Sequence, residues 1–164
     1  MSVDQEAAQL ARVPMFARLD PARLKLLAFT SRALTFAPGE VLVRVGEPSD
    51  SAYLILDGQV DILGSAGDDE FKIGSVGANA LIGEMGVLMN GPRTLTVRAQ
   101  GEVRALKIAA SMFVRLVSEN PEVALDVMRV LCERLAGTTH MLEGARGELS
   151  RSGERSRDDK ASRQ

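Results

Sequence analysis

Two charged residues of this sequence, Glu84 and Arg93, stand in a setting that suggests binding chemistry. They lie nine positions apart in the segment LIGEMGVLMNGPRTLTV, residues 81–97, where a glycine precedes the glutamate and a proline precedes the arginine. The run GEMGVLM indicates a single helical turn that begins after Gly83, and the backbone N–H groups at such a start attract an anion. Glycine at this position and at Gly86 would let a ligand approach the backbone closely.

The two side chains together define the kind of ligand. Arg93 can add a planar fork of donors to the same anion, for which a phosphate is a suitable guest. Glu84 has the same sign of charge as a phosphate, so its partner must be a ligand hydroxyl that is far enough away for Arg93 to offset the repulsion. A phosphate together with a sugar hydroxyl describes a nucleotide.

Taken singly, each residue has an ordinary explanation. Glu84 favours a helix N-terminus through the macrodipole, and Arg93 would be a solvated loop residue that contributes little to a core. The combination of the two favours the nucleotide.

Composition limits the other possibilities. The 164 residues, 45% of them hydrophobic, suit one globular domain with its own core. No apolar run is long enough to span a bilayer and the N-terminus is too polar for a secretory signal, so we expect a cytoplasmic protein without membrane contact. A net charge of -2 gives no overall attraction to nucleic acid.

Metal-dependent catalysis is not expected from the sequence. The only cysteine, Cys132, has helical spacing with Leu131 and Leu135, which predicts a small core residue and no metal site. A metal-dependent barrel enzyme needs several histidines inside the barrel, whereas the only one here is His140, on the late helix. We therefore expect neither a catalytic residue nor an enzyme, and no cofactor.

The hydrophobic pattern changes twice along the chain. Residues 4–30 have helical spacing and predict two short helices, the second starting after Asp20. Between about 33 and 108, short apolar runs alternate with Gly, Pro and Asp turns, which is typical of a jelly-roll or similar closed barrel. The helical period returns over about 110–149, where Asn120 is expected to cap a long helix. The tail 150–164 has almost no aliphatic residues and is predicted to be disordered.

Residues 81–97 resemble the phosphate-binding cassette of the cyclic nucleotide-binding domain family, in which Gly-Glu and a short helical turn precede Pro-Arg-Ser/Thr and a strand. The resemblance covers most of the chain, roughly Val13 to Leu149, and is not confined to the cassette. The segment FAPGEVLVRVGEPSDSAYLILDGQVDIL is similar to the first half of the family's barrel, with turn glycines at Gly39, Gly46 and Gly58. The resemblance implies a mainly β fold, a double-stranded β-helix (jelly-roll) barrel with N-terminal helices and a long C-terminal helix, forming one domain over 1–149.

The same resemblance implies a ligand, cyclic AMP or cyclic GMP, and roles for the cassette. Arg93 would pair with the cyclic phosphate and Glu84 would accept the ribose 2'-hydroxyl. The implied ligand-binding positions of the cassette are Gly83, Glu84, Met85, Gly86, Arg93 and Thr94, with backbone N–H groups of the first residues on the phosphate oxygens.

The segment RLAGTTHML adds a base contact to the expected site. It is similar to the segment of catabolite activator proteins in which two consecutive hydroxyl residues contact the adenine, one from each subunit. The corresponding residues are Thr138 and Thr139, and on this match we favour cyclic AMP over cyclic GMP.

The C-terminal helix also carries a heptad pattern. Met128, Leu135 and Leu142 are seven residues apart and Leu131 belongs to the interleaved set, which predicts a homodimer through this helix. The alternative, that the stripe packs on its own barrel, stays open over the first half of the helix.

The sequence therefore predicts a non-enzymatic sensor that signals to an unnamed protein effector by ordering its C-terminal helix. Family members that regulate transcription carry a helix-turn-helix module after this helix, and only the short tail follows it here, so we expect no DNA binding. Two alternatives stay open at this point: a dimerisation or interaction module with a vestigial pocket, and a sensor of a different effector such as a cyclic dinucleotide.

Overall fold

A computed structural model describes residues 2–137, Gly144 and Gly147 of the chain. The elements, in chain order, are α1 (Val3–Leu10), α2 (Pro21–Thr30), β1 (Arg32–Phe36), β2 (Val41–Val43), β3 (Ser51–Asp57), β4 (Val60–Ala66), β5 (Asp69–Val76), β6 (Leu81–Ile82), α3 (Glu84–Met89), β7 (Thr96–Ala99), β8 (Val103–Ala109) and α4 (Ala110–Glu119). A further helix, α5, covers residues 121–137, and a 3-10 turn covers Pro14–Phe16. The chain forms two compact units, Met1–Asp126 and Val127–Gln164.

The barrel of the first unit consists of two four-stranded antiparallel sheets. One sheet has the order β1-β8-β3-β6 and the other the order β2-β7-β4-β5. Strands that are distant in sequence are therefore neighbours, as in the predicted jelly-roll, and the mainly β fold with flanking helices is confirmed. The two-residue strand β6 was not predicted, because two residues are too few to show a period.

The barrel interior is filled by apolar side chains from both sheets. The buried cluster comprises Leu42, Val43, Tyr53, Ile55, Val60, Ile82, Val97, Ala99, Val103 and Ala105. The turn before β4 depends on Gly58, whose φ is +94°, and an added Cβ would overlap the carbonyl oxygen of Glu102. This glycine lets the β3–β4 turn lie against the turn before β8.

The predicted start of α2 is confirmed, and Asn120 stands directly before α5, where its backbone O accepts from Ala124 N at 3.1 Å, although its side chain is engaged elsewhere. Asp20 accepts a hydrogen bond from Arg23 N at 2.9 Å at the start of α2. The Asn120 side chain donates to Leu116 O at 2.7 Å and accepts from the Arg23 side chain. Sequence spacing could not reveal this tertiary contact, which engages the side chain expected to cap α5.

The face of α5 that carries the heptad pattern is exposed in the single chain. Met128 is 54% and Leu135 67% exposed, and Leu131 is half-buried. Cys132 is exposed, so the prediction of a small core residue is wrong. Its spacing identified a helix but could not show which face of that helix would be covered. No helix in the described part of the chain is long and apolar enough to cross a membrane.

Candidate functional site

The cassette begins at a glycine that no other residue could replace without strain. Gly83 links β6 to α3 with a φ of +79°, a conformation that L side chains rarely adopt. A Cβ at this position would lie 2.5 Å from Nη1 of Arg93. The missing side chain therefore makes room for the arginine of the protein itself.

Arg93 is buried, with 6% of its surface exposed. Its Nη1 donates to Gly83 O at 3.1 Å, and its Nη2 donates to Ser51 Oγ at 3.2 Å and to Asp50 Oδ1 at 3.4 Å. The alternative explanation, a solvated loop arginine, is therefore wrong, because β3 and the loop before it provide acceptors that the residues around Arg93 in the sequence do not indicate. The guanidinium is held in place by these three acceptors.

The loop 46–50, between β2 and β3, holds the main chain of the same arginine. Gly46 N donates to Arg93 O, and Arg93 N donates to Glu47 O, both at 2.8 Å. Asp50 O accepts from Ala110 N, at the start of α4, at 2.9 Å. One loop therefore fixes the cassette arginine and the first residue of α4.

Glu84 is the first residue of α3 and is 2% exposed. No side chain caps the helix at Gly83. A carboxylate at a helix N-terminus interacts favourably with the macrodipole, which lowers the cost of burying its charge. The start of α3 thus combines a buried acceptor, Glu84, with backbone donors that no capping side chain occupies.

Gly86 makes a close contact within the protein that the sequence did not predict. A Cβ at this position would overlap Ser49 Oγ and lie 3.0 Å from Ser49 Cβ. The absence of a side chain at Gly86 therefore leaves room for Ser49 of the loop 46–50. This contact alone is enough to require a glycine at this position. Ser49 Oγ is buried and has no hydrogen-bond partner in the described structure.

The remaining predicted site residues divide into two groups. Met85 and Thr94 belong to the cassette segment, but both are exposed. Thr138, Thr139 and Leu142 lie outside the described residues. The structure thus brings Gly83, Glu84 and Arg93 together at one helix start.

Asp50 is a residue of this site that the sequence reading missed. Its carboxylate accepts from Ser51 Oγ at 2.8 Å and lies 3.4 Å from Arg93 and 4.0 Å from Lys107. The Ser51 hydrogen bond and the charges of Lys107 and Arg93 lower the pKa of Asp50, while burial acts in the opposite direction. The only indication of this role in the sequence is that Asp50 follows Gly-Glu-Pro and directly precedes a buried strand.

This arrangement can bind an anion next to a hydroxyl group, since it offers a guanidinium, helix-start N–H groups and a buried carboxylate. Across residues 2–137, Gly144 and Gly147, no three His, Cys, Asp or Glu side chains are grouped so that they could hold a metal ion.

The sequence profile of the cyclic nucleotide-binding domain matches residues 33–120, more than half of the chain. The chain belongs to the cyclic nucleotide-binding domain family. The match includes the whole barrel from Ala33 onward, the cassette and α4, so the family assignment rests on the same elements that position Glu84 and Arg93.

Similar proteins come from several functional classes. A cyclic nucleotide-gated potassium channel of Mesorhizobium japonicum is 33% identical over 76% of this chain and 34% of its own length. A CRP-like cAMP-activated global transcriptional regulator of Mycobacterium tuberculosis is 29% identical over 81% of this chain and 60% of its own. Catabolite activator protein of Thermus thermophilus has the same fold, with a TM-score of 0.71 and 24% identity over 79% of this chain and 62% of its own. The chain spans between about one third and three fifths of these curated relatives.

Proposed function

We propose that this domain is a non-enzymatic sensor that binds a cyclic nucleotide, cyclic AMP in preference to cyclic GMP, in the cassette around α3. The observation that carries the proposal is the burial of two opposite charges, Glu84 and Arg93, on either side of Gly83. A guanidinium can donate to a phosphate and a carboxylate can accept from a hydroxyl, so a ligand that carries both groups matches this pair of side chains. The family match supports a cyclic nucleotide as that ligand.

Each cassette residue has a role in the proposed complex. Arg93 pairs with the cyclic phosphate, and Glu84 accepts a hydrogen bond from the ribose 2'-hydroxyl. The backbone N–H groups of Gly83, Met85 and Gly86 contact phosphate oxygens. The uncapped start of α3 supports this last role, because no side chain of Gly83 competes for those donors.

The preference for cyclic AMP rests on Thr138 and Thr139, which we propose contact the base, and Thr94 completes the proposed ligand set. A relative that is itself cAMP-activated supports the same preference.

We also propose a homodimer through the C-terminal helix, with Met128, Leu131, Leu135 and Leu142 in its seam. The exposure of Met128 and Leu135 in the single chain supports it, since burying large apolar side chains against a second copy is favourable. Ligand binding would order this helix and so signal to a protein effector. We place the domain in the cytoplasm, where an exposed thiol such as that of Cys132 stays reduced.

Calorimetric titration of nucleotide-free protein with cyclic AMP, cyclic GMP and a cyclic dinucleotide tests the proposal. We expect cyclic AMP to bind most tightly. Preferential binding of the cyclic dinucleotide would identify a different effector. Failure of all three to bind would contradict the sensor function and favour an interaction module with a vestigial pocket.

A further inference from the structure

The segment that joins α3 to Arg93 contains the dipeptide Asn90–Gly91. Asn90 is exposed and ends α3 with φ and ψ of 50° and 44°, a left-handed conformation that asparagine tolerates better than most residues. The side-chain amide carbon of an asparagine can form a five-membered ring with the backbone nitrogen that follows it. Glycine favours this ring closure, because it has no side chain that shields its nitrogen. The proposed nucleotide function gives the Asn90 amide no role.

The surroundings of Gly91 decide when its nitrogen can react. A Cβ at this position would have Met89 O as its nearest neighbour, at 3.9 Å, so the space beside Gly91 is open. The backbone N–H of Gly91 donates to Gly86 O at 3.1 Å, and that of Asn90 donates to Val87 O at 3.2 Å. The last turn of α3 therefore holds the nitrogen, and local opening of this turn releases it.

The other two asparagines of the chain are unsuited to the same reaction and provide internal comparisons. Asn120 precedes Pro121, whose nitrogen has no proton to lose. Asn79 precedes Ala80, whose methyl group hinders attack, and its side-chain Oδ1 is buried. Only Asn90 combines a following glycine with an exposed side chain.

We propose that Asn90 is a modification site at which the protein deamidates without an enzyme, at a rate set by the last turn of α3. The Gly91 nitrogen loses its proton to solvent and forms a bond to Asn90 Cγ. The bond from Cγ to Nδ2 breaks, and Nδ2 takes a proton from water and leaves as ammonia. Water then opens the cyclic imide, either at Cγ, which gives aspartate, or at the main-chain carbonyl carbon, which gives isoaspartate. Overall, water replaces ammonia and no atom is oxidised or reduced.

Both products would change the cassette. The new carboxylate stands at the C-terminal end of α3, where a negative charge is unfavourable. Isoaspartate also adds one carbon atom to the main chain between α3 and Arg93, whose backbone N is held by Glu47 O at 2.8 Å. Deamidated protein should therefore bind cyclic AMP less tightly, a consequence that rests on the proposed function.

Storage of the purified protein for weeks at mildly alkaline pH, followed by peptide mass spectrometry, tests the modification. We expect the peptide with Asn90 to gain the mass difference between an amide and a carboxylic acid and to become a substrate of protein isoaspartyl methyltransferase. The peptides with Asn79 and Asn120 should stay unchanged. Gly91→Ala should slow the reaction strongly, although its methyl group fits the fold. Unfolding in urea should speed the reaction, because the Gly91 nitrogen is then free.

An unmodified Asn90 in the stored folded protein, or equal modification of Asn79, would overturn the proposed site. Equal rates in folded and urea-unfolded protein would contradict control by α3. Calorimetry of Asn90→Asp tests the effect on binding, with the uncharged Asn90→Gln as its control. Only Asn90→Asp should bind cyclic AMP more weakly than the unchanged protein, and equal affinities would contradict this effect. If cyclic AMP binds to none of these proteins, the proposed function fails, while the mass change at Asn90 stands by itself.

Discussion

At the scale of single residues, Glu84 and Arg93 are expected to act on different parts of the nucleotide, so their effects are separable. Glu84→Gln keeps the shape of the side chain and removes its charge, so cyclic AMP affinity should fall by about 1 to 3 kcal/mol. The 2'-deoxy analogue of cyclic AMP should bind the unchanged protein more weakly than cyclic AMP does, by the same amount. It should bind Glu84→Gln as tightly as cyclic AMP binds that variant. Calorimetry of the four combinations measures the coupling, and additive losses would show that Glu84 and the 2'-hydroxyl do not meet.

Arg93 has a structural role as well as its proposed role in binding, because its guanidinium has three acceptors within the protein. Arg93→Ala should weaken cyclic AMP by about 3 kcal/mol or more and should also lower the thermal midpoint. Arg93→Lys keeps the charge but not the planar fork of donors, so it should lose less cyclic AMP affinity than Arg93→Ala. Affinity is measured below the unfolding transition of each variant.

The matched control for Arg93 is Arg98→Ala, which removes an arginine that pairs with Glu70 at 2.6 Å and leaves the cassette intact. It should bind cyclic AMP as the unchanged protein does. Unchanged affinity in folded Arg93→Ala would refute the cassette assignment.

Asp50 links the site to the pH dependence of stability. Because its pKa in the folded protein is below the ordinary 3.8, the unfolded chain binds more protons between the two values. The stabilisation is therefore complete above pH 3.8 and is lost as the pH falls through the lower, folded-state pKa. Asp50→Asn should lower the urea midpoint slightly at neutral pH, and the difference should shrink below pH 3.8. A difference that persists undiminished in acid would exclude the carboxylate charge as its cause.

At the scale of elements, the position of α3 depends on the contact between Gly86 and Ser49. Gly86→Ala would force the two apart, at a cost of about 1 to 3 kcal/mol shared between stability and nucleotide affinity. Adding Ser49→Gly removes both atoms that the new methyl group would meet and should restore the loss. Thermal unfolding of the single and double variants measures the loss of stability, and cyclic AMP titration measures the loss of affinity.

Gly91→Ala is the control within the same segment, since the nearest atom to its Cβ would be Met89 O at 3.9 Å. It should leave affinity unchanged. If Gly91→Ala and Gly86→Ala behave alike, the effect belongs to glycine flexibility and not to the Ser49 contact.

At the scale of the whole molecule, we expect ligand binding and dimerisation to be coupled through Thr138 and Thr139. A ligand that prefers the dimer must tighten dimerisation by the factor by which dimerisation tightens the ligand. Sedimentation of dilute protein with and without saturating cyclic AMP measures this factor. Met128→Glu should weaken the dimer and Met128→Leu should preserve it, because only the first places a charge in the seam.

Two results would contradict the predicted coupling between ligand binding and dimerisation. A dimer constant that does not respond to cyclic AMP would reduce the C-terminal helix to a dimer contact without a signalling role. If the double variant Thr138→Ala, Thr139→Ala binds cyclic AMP as tightly as the unchanged protein, these two residues do not contact the ligand. Their role is a prediction, because they lie outside the described residues.

Features that depend on neighbours along the chain could be predicted from the sequence. Alternating short apolar runs identified the barrel strands, Asp20 marked the start of α2, and the turn at Gly58 was identified from local residue type. Glu84 and Arg93 were recognised because their cassette is contiguous in sequence. Local periodicity and spacing are enough for such features, since they follow from backbone geometry.

The surroundings of these residues, in contrast, depend on the fold. Only the folded barrel shows that Asp50 and Ser51 hold Arg93, that Gly86 admits Ser49, and that Arg32 faces Lys107 across two strands. Burial also depended on the fold, since Cys132 is exposed although its spacing predicted a core residue. Contacts between strands distant in sequence leave no period in the chain, because they are set by sheet order and register.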